Sequence, residues 1–162
     1  MRSRKLIAVA YCCLNQNSVL PDWERSRGAY PFMDILVKEG YGIIQLDCPE
    51  LLSKGLDRPP LTYQDYNIAS HRSLCRKLAS NNIDTIKAHI AGGDEFIGII
   101  GIESSPNCAI SNQRGVYMEE LIKALKEIDI YPKYIEVPET YIENNKKEEE
   151  NFEFLLKRWL KI

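Results

Sequence analysis

Four short apolar runs alternate with segments of helical periodicity, and that order constrains the fold of this chain more than any other feature. The runs are KLIAVA at 5–10, GIIQL at 42–46, FIGIIGI at 96–102 and YIEV at 134–137. Their nearly continuous apolar character is that of strands covered on both faces. Between the first two, residues 30–39 carry apolar side chains at helical spacing and stop at Gly40, a natural terminator. Thr62, with Asp65 three residues on, opens a second helix in the manner of a capping box. The sequence predicts that this helix runs through Leu74 and Leu78 to a break near Asn81-Asn82, with helix resuming over 84–90. Further helices are predicted over 115–128, with Val116, Leu121, Ile122 and Leu125 inward, and over 146–160, with Phe152, Leu155, Leu156 and Trp159 inward. Pro49, Gly55, Pro59 and Pro60 mark a loop. The alternation predicts an α/β fold, a three-layer Rossmann-like sandwich around a mainly parallel sheet of about four to five strands. No GxGxxG follows the first run, so the dinucleotide fingerprint is absent.

The 162 residues suit one α/β domain over 1–162. A net charge of −2 argues against a protein whose main task is gripping nucleic acid, and leaves room only for a local contact such as a thiolated tRNA. No run reaches the ~20 apolar residues of a membrane helix. The apolar stretch after MRSRK is shorter than the ~7–15 residues of a signal sequence core, so the expected location is cytoplasmic. KKEEE at 146–150 reads as the solvated start of the last helix.

Five cysteines, an odd number in a chain too large to need disulfide staples, point to free, metal-binding or catalytic thiols. Cys12 follows the first strand, Cys48 the second, and Cys108 lies a short turn beyond the third. Ligands of open parallel sheets bind at the carboxyl ends of the strands, so the fold itself would gather these three. Cys13 competes with Cys12: adjacent residues of a strand face opposite ways, so one suits a ligand and the other the core. Cys75, within RSLCRKL, reads as core. His71 and His89 lie on predicted helices away from this edge, and nothing completes a zinc set. Three thiolates suit a 4Fe–4S cluster with one iron left open as a Lewis acid. Cys108 ends the turn SPNC, in which Pro106 biases Ser105 toward extended backbone.

The segments CCLNQN (12–17), CPELLSKGLDRPP (48–60) and SPNC (105–108) resemble, in order, the motifs of the thiouracil desulfurase family. The resemblance implies a 4Fe–4S cluster held by Cys12, Cys48 and Cys108, with Cys13 at a motif leucine. The open iron takes the sulfur of a thiolated pyrimidine, and the oxygen of water replaces it. Glu50 matches the acid of the family's C-P-E and Ser105 the first serine of its S-P-S-C. Ala109 in place of glycine, Leu51-Leu52 in place of a glycine pair, and Asn107 in place of the second serine mark a divergent branch.

Two residues from Cys48, Glu50 is placed to act as general base on water and then to protonate the ring nitrogen, or else to cap the following turn. Ser105, or its neighbour Ser104, is a candidate donor to a substrate carbonyl or to the water, against an ordinary Ser-Pro turn bond. Asn15 and Asn17 either donate to substrate or cap the next helix. Arg58 either binds an anionic or carbonyl group or pins its loop by pairing with an acid. The expected function is a cytoplasmic iron–sulfur desulfurase (desulfidase) acting on a thiolated nucleobase, nucleoside or similar small thiocarbonyl compound. The alternatives are a non-catalytic iron–sulfur redox protein with Cys13 as fourth ligand, a zinc-binding domain, and a sulfur-inserting enzyme, the last weakened by the lack of a P-loop.

Overall fold

The computed structural model describes residues 1–162. Its strands are β1 (Lys5–Val9), β2 (Gly42–Gln45), β3 (Glu95–Ile102) and β4 (Lys133–Val137), joined in the order β2-β1-β3-β4. Every neighbouring pair is parallel. The helices are α1 (Met33–Lys38), α2 (Pro49–Lys54), α3 (Tyr63–Tyr66), α4 (Ala69–Ala91), α5 (Val116–Glu127) and α6 (Lys146–Leu160). Four strands therefore account for the whole sheet, at the lower end of the expected number.

The chain enters at β1, moves outward to β2, then crosses back to β3 and on to β4. Right-handed crossovers put α1 on one face and α4 with α5 on the other. The last helix, α6, returns to the face of α1. There Tyr30, Phe32, Tyr141 and Phe152 form an aromatic cluster with ring centroids 4.9–5.7 Å apart. Leu6, Ile7, Ala8 and Val9 are all buried, as a strand covered on both faces requires. This is the expected three-layer Rossmann-like sandwich. Because the chain leaves β1 toward one edge and β3 toward the other, a crevice opens between their carboxyl ends.

Three local expectations are corrected. First, α4 runs unbroken through Asn81-Asn82. The amide of Asn82 donates to Leu78 O one turn back in the same helix and to Tyr117 Oη across the core, and reaches Asp47, so its hydrogen bonds are met without a break in the helix. The interruption lies instead at Asn67-Ile68, and the Thr62–Asp65 capping box serves only the single turn of α3. Second, the expected loop after β2 contains α2. Cys48 is its N-cap, Pro49 occupies the first turn, and Leu51 N–H donates to Cys48 Sγ at 3.4 Å. Third, Leu155 of α6 faces solvent and Leu160 is buried in its stead. No helix is long and apolar enough to cross a membrane.

The aromatic cluster holds α6 to the sheet, so Phe152→Ala is expected to lower stability by about 3–5 kcal/mol. Phe154→Ala, two residues on and 62% exposed, is expected to change it by less than about 0.5 kcal/mol. Urea unfolding of both variants checks the pair.

Candidate functional site

Three turns at the carboxyl edge of the sheet build the site. After β1, residues Tyr11–Cys13 form a tight 3-10 turn in which Cys13 N–H donates to Ala10 O at 2.9 Å. This turn, rather than strand alternation, separates the neighbouring thiols: Cys13 is wholly buried in the core, whereas Cys12 reaches the crevice. After β2, the start of α2 presents Cys48. After β3, Ser104 adopts a left-handed φ of 62° and turns the chain into SPNC. Asn107 N–H and Cys108 N–H both donate to Ser105 Oγ, at 3.3 and 2.9 Å. Cys108 O in turn accepts from Ile102 N–H at 3.0 Å.

The turn fits because two glycines make room for it. A Cβ on Gly101 would stand 2.7 Å from Cys108 O, and one on Gly115 would stand 2.3 Å from the Asn107 carbonyl carbon. Glu136 adds a further clamp, accepting from Ile110 N–H and Ser111 N–H at 2.9 and 3.1 Å.

Cys12, Cys48 and Cys108 line one cavity of about 500 Å³ together with Glu50, Arg58, Ser104 and Ser105. Burial pushes the Cys12 thiol up to about 12, helped by the neighbouring Cys48 and opposed by Arg25. Burial likewise raises Cys48, and carries Cys108 well above its ordinary value with Cys12 and Cys48 adding to the shift. Cys48 thus acts on Cys12, and both act on Cys108.

Glu50 is the hub of the polar wall. Its Oε1 accepts from Arg58 Nε and from Tyr66 Oη, both at 3.2 Å, and its Oε2 accepts from Asn107 Nδ2 at 3.1 Å. Asn107, fully buried, joins His71 Nε2 at 2.7 Å through its Oδ1. An asparagine can satisfy both neighbours at once, which a serine in that place is too short to do. His71 was expected to lie away from this edge. The start of α4 brings it behind the SPNC turn, where its ring also packs on Tyr66 with centroids 4.7 Å apart.

Of the predicted site residues, Glu50, Ser104, Ser105, Arg58 and the three cysteines share the cavity. Asn15 does not line it. Its side chain accepts from Asn17 N–H at 3.1 Å and caps the 3-10 turn Gln16–Ser18. Arg58 is 7% exposed and committed, donating to Gly55 O and Ser18 O at 2.9 and 2.8 Å besides Glu50, so it pins its loop. Cys75 is buried in the core, as expected. Tyr11, Trp23, Arg25 and Tyr30 also line the cavity, and none carried a local sequence signal.

Over 147 residues the chain is 40% identical to the uncharacterised protein MJ0003 of Methanocaldococcus jannaschii, an alignment covering 90% of this chain and 94% of that one. This chain belongs to the family of that protein. No family model matches the sequence, and no solved structure matches it.

No three His, Cys, Asp or Glu side chains are arranged to share a single metal ion. A 4Fe–4S cluster instead takes each thiolate at a separate iron corner, so its ligands stand farther apart than those of one ion. Three thiols on one cavity, one of them already accepting a backbone N–H, are the donors that a three-cysteine cluster would use.

The raised thiols fix the pH response of the metal-free chain. An unfolded thiol ionises near 9 while folded Cys12 stays protonated until about 12, so above 9 the unfolded state binds fewer protons. The thiol contribution is therefore fully present below about 9 and is lost as pH rises toward 12. The buried phenols of Tyr30 and Tyr117 are also raised and act in the same direction. Urea unfolding of metal-free protein is expected to show a lower midpoint at about pH 10 than at about pH 8.

Proposed function

We propose that this protein is an iron–sulfur-dependent desulfurase that removes sulfur from a small thiolated heterocycle such as a thiolated nucleobase or nucleoside. The observation that carries this reading is the convergence of Cys12, Cys48 and Cys108, from the ends of three strands, on one cavity that also holds Glu50 and Ser105. A cluster held by these thiolates supplies, when bound, an open iron that accepts the substrate's sulfur. The resemblance of CCLNQN, CPELLSKGLDRPP and SPNC to the desulfurase motifs supports the same assignment.

The reaction exchanges a thiocarbonyl for a carbonyl: water adds at the carbon, the C–S bond breaks, and hydrogen sulfide leaves with no net transfer of electrons. Glu50 takes the proton of the attacking water and delivers one to the ring nitrogen. Arg58, Tyr66 and Asn107 fix both of its oxygens, so the carboxylate is held in place before substrate arrives. Ser105 Oγ accepts two backbone N–H groups, and its own proton remains to be donated to the water or to a substrate carbonyl.

All five cysteines are free, which suits a reducing, cytoplasmic setting. The size of the cavity suits a small molecule better than a folded RNA. The redox-protein alternative would need Cys13 as a fourth ligand, and Cys13 is packed in the core. The zinc alternative lacks a set of side chains that could share one ion.

Protein purified or reconstituted without oxygen is expected to carry about four irons and four sulfides per chain. Cys48→Ala and Cys108→Ala are expected to lose them, while Cys13→Ala and Cys75→Ala keep them. Glu50→Gln is expected to retain iron and lower turnover of thiouracil about 10²–10⁴-fold. Stoichiometric zinc, or no metal at all after anaerobic reconstitution, would overturn the assignment.

A further inference from the structure

Two guanidinium groups line the cavity, and they are not equivalent. Every donor-bearing nitrogen of Arg58 is engaged, by Glu50, Gly55 O and Ser18 O. Arg25 donates from Nη1 to Pro138 O and lies over the Tyr30 ring at 5.9 Å, but its Nε and Nη2 have no partner in the protein. No acid pairs with it. Its backbone is nonetheless held firmly: Arg25 N–H donates at 2.9 Å to Oε1 of Gln16, a residue only 2% exposed, whose Nε2 donates at 2.9 Å to Cys12 O. One buried glutamine therefore ties Arg25 to the turn that presents Cys12.

The rest of that wall is planar and apolar. Trp23, 59% exposed, lines the cavity with Tyr11 and Leu20. The other charged side chains facing the space, Glu50, Glu103 and Glu139, are acceptors. A flat heterocycle against these aromatics would find its only unpaired cationic donor at Arg25.

We propose that Arg25 is a specificity-determining residue that donates through Nε and Nη2 to an exocyclic oxygen of a planar heterocyclic substrate whose sulfur is turned toward the three cysteines. Only the sulfur end of this statement rests on the desulfurase reading. A ring lacking that oxygen leaves the guanidinium desolvated and unpaired, which is how a site built to hydrogen-bond one group rejects analogues without it. Arg25 in this role is a binding residue, separate from the proton transfers assigned to Glu50.

The test is calorimetric titration of uracil into metal-free and reconstituted protein, and of pyridine-2-thione into reconstituted protein, for the wild type, Arg25→Met and Arg25→Lys. Uracil carries the oxygen and no sulfur; pyridine-2-thione carries the sulfur and no oxygen. Uracil binding is expected to weaken about ten- to hundredfold in Arg25→Met, the loss of the guanidinium's charge-assisted hydrogen bonds to the oxygen, and to recover in part in Arg25→Lys. Pyridine-2-thione binding and iron content are expected to change less than twofold. Equal uracil binding by wild type and Arg25→Met, equal loss of both ligands in Arg25→Met, or no uracil binding by the wild type overturns the proposal. Uracil binding that depends on Arg25, in a protein that takes up no iron and releases no sulfide, sinks the desulfurase reading and leaves the anchor standing. Thiouracil turnover with the same KM in both proteins does the reverse.

Discussion

A carboxylate placed among packed side chains must be given donors, and the edge of this protein is organised around meeting that need for Glu50. The side chains of Glu50 and Arg58 are 14% and 4% exposed, so their ion pair is mostly out of water. Such a pair strongly destabilises a fold when either partner is removed. Arg58 comes from the loop after α2, Tyr66 from α3, and Asn107 from the turn after β3. One side chain thus fastens segments that arrive from separate strands. The cysteines of those segments reach their positions as a consequence: Cys48 is two residues from Glu50 on the same helical start, and Cys108 follows Asn107 directly.

The fold was legible because it depends on patterns that survive in one dimension. A strand buried on both faces has to be apolar throughout, so β1 and β3 announce themselves. Parallel order then dictates that whatever follows each strand meets at one edge, and three cysteines could be assigned there without knowing a single contact. The expected break at Asn82 does not occur because its amide bonds Leu78 O while the helix continues, and its other partner, Tyr117, lies thirty-five residues away where no local pattern shows it.

The site was legible only as far as its chain positions reach. Glu50 and Ser105 could be named because they lie beside ligand-like cysteines. His71 and Arg25 could not, since each enters through packing of an element whose own sequence says nothing about the edge. The two readings open for Arg58 in the sequence are separated by geometry: its donors point into the loop and toward Glu50. Similarly, the choice between Cys12 and Cys13 turned on a 3-10 turn where strand alternation had been assumed.

The burial that keeps Cys12, Cys48 and Cys108 protonated has a bearing on how the protein ages. Thiolates attack peroxide and disulfides, and thiols held in the neutral form react slowly. What burial protects, it also withholds: on the proposed assignment, three protons would leave as three iron–sulfur bonds form. Loading of the proposed cluster would then be the pH-sensitive stage, favoured as pH rises.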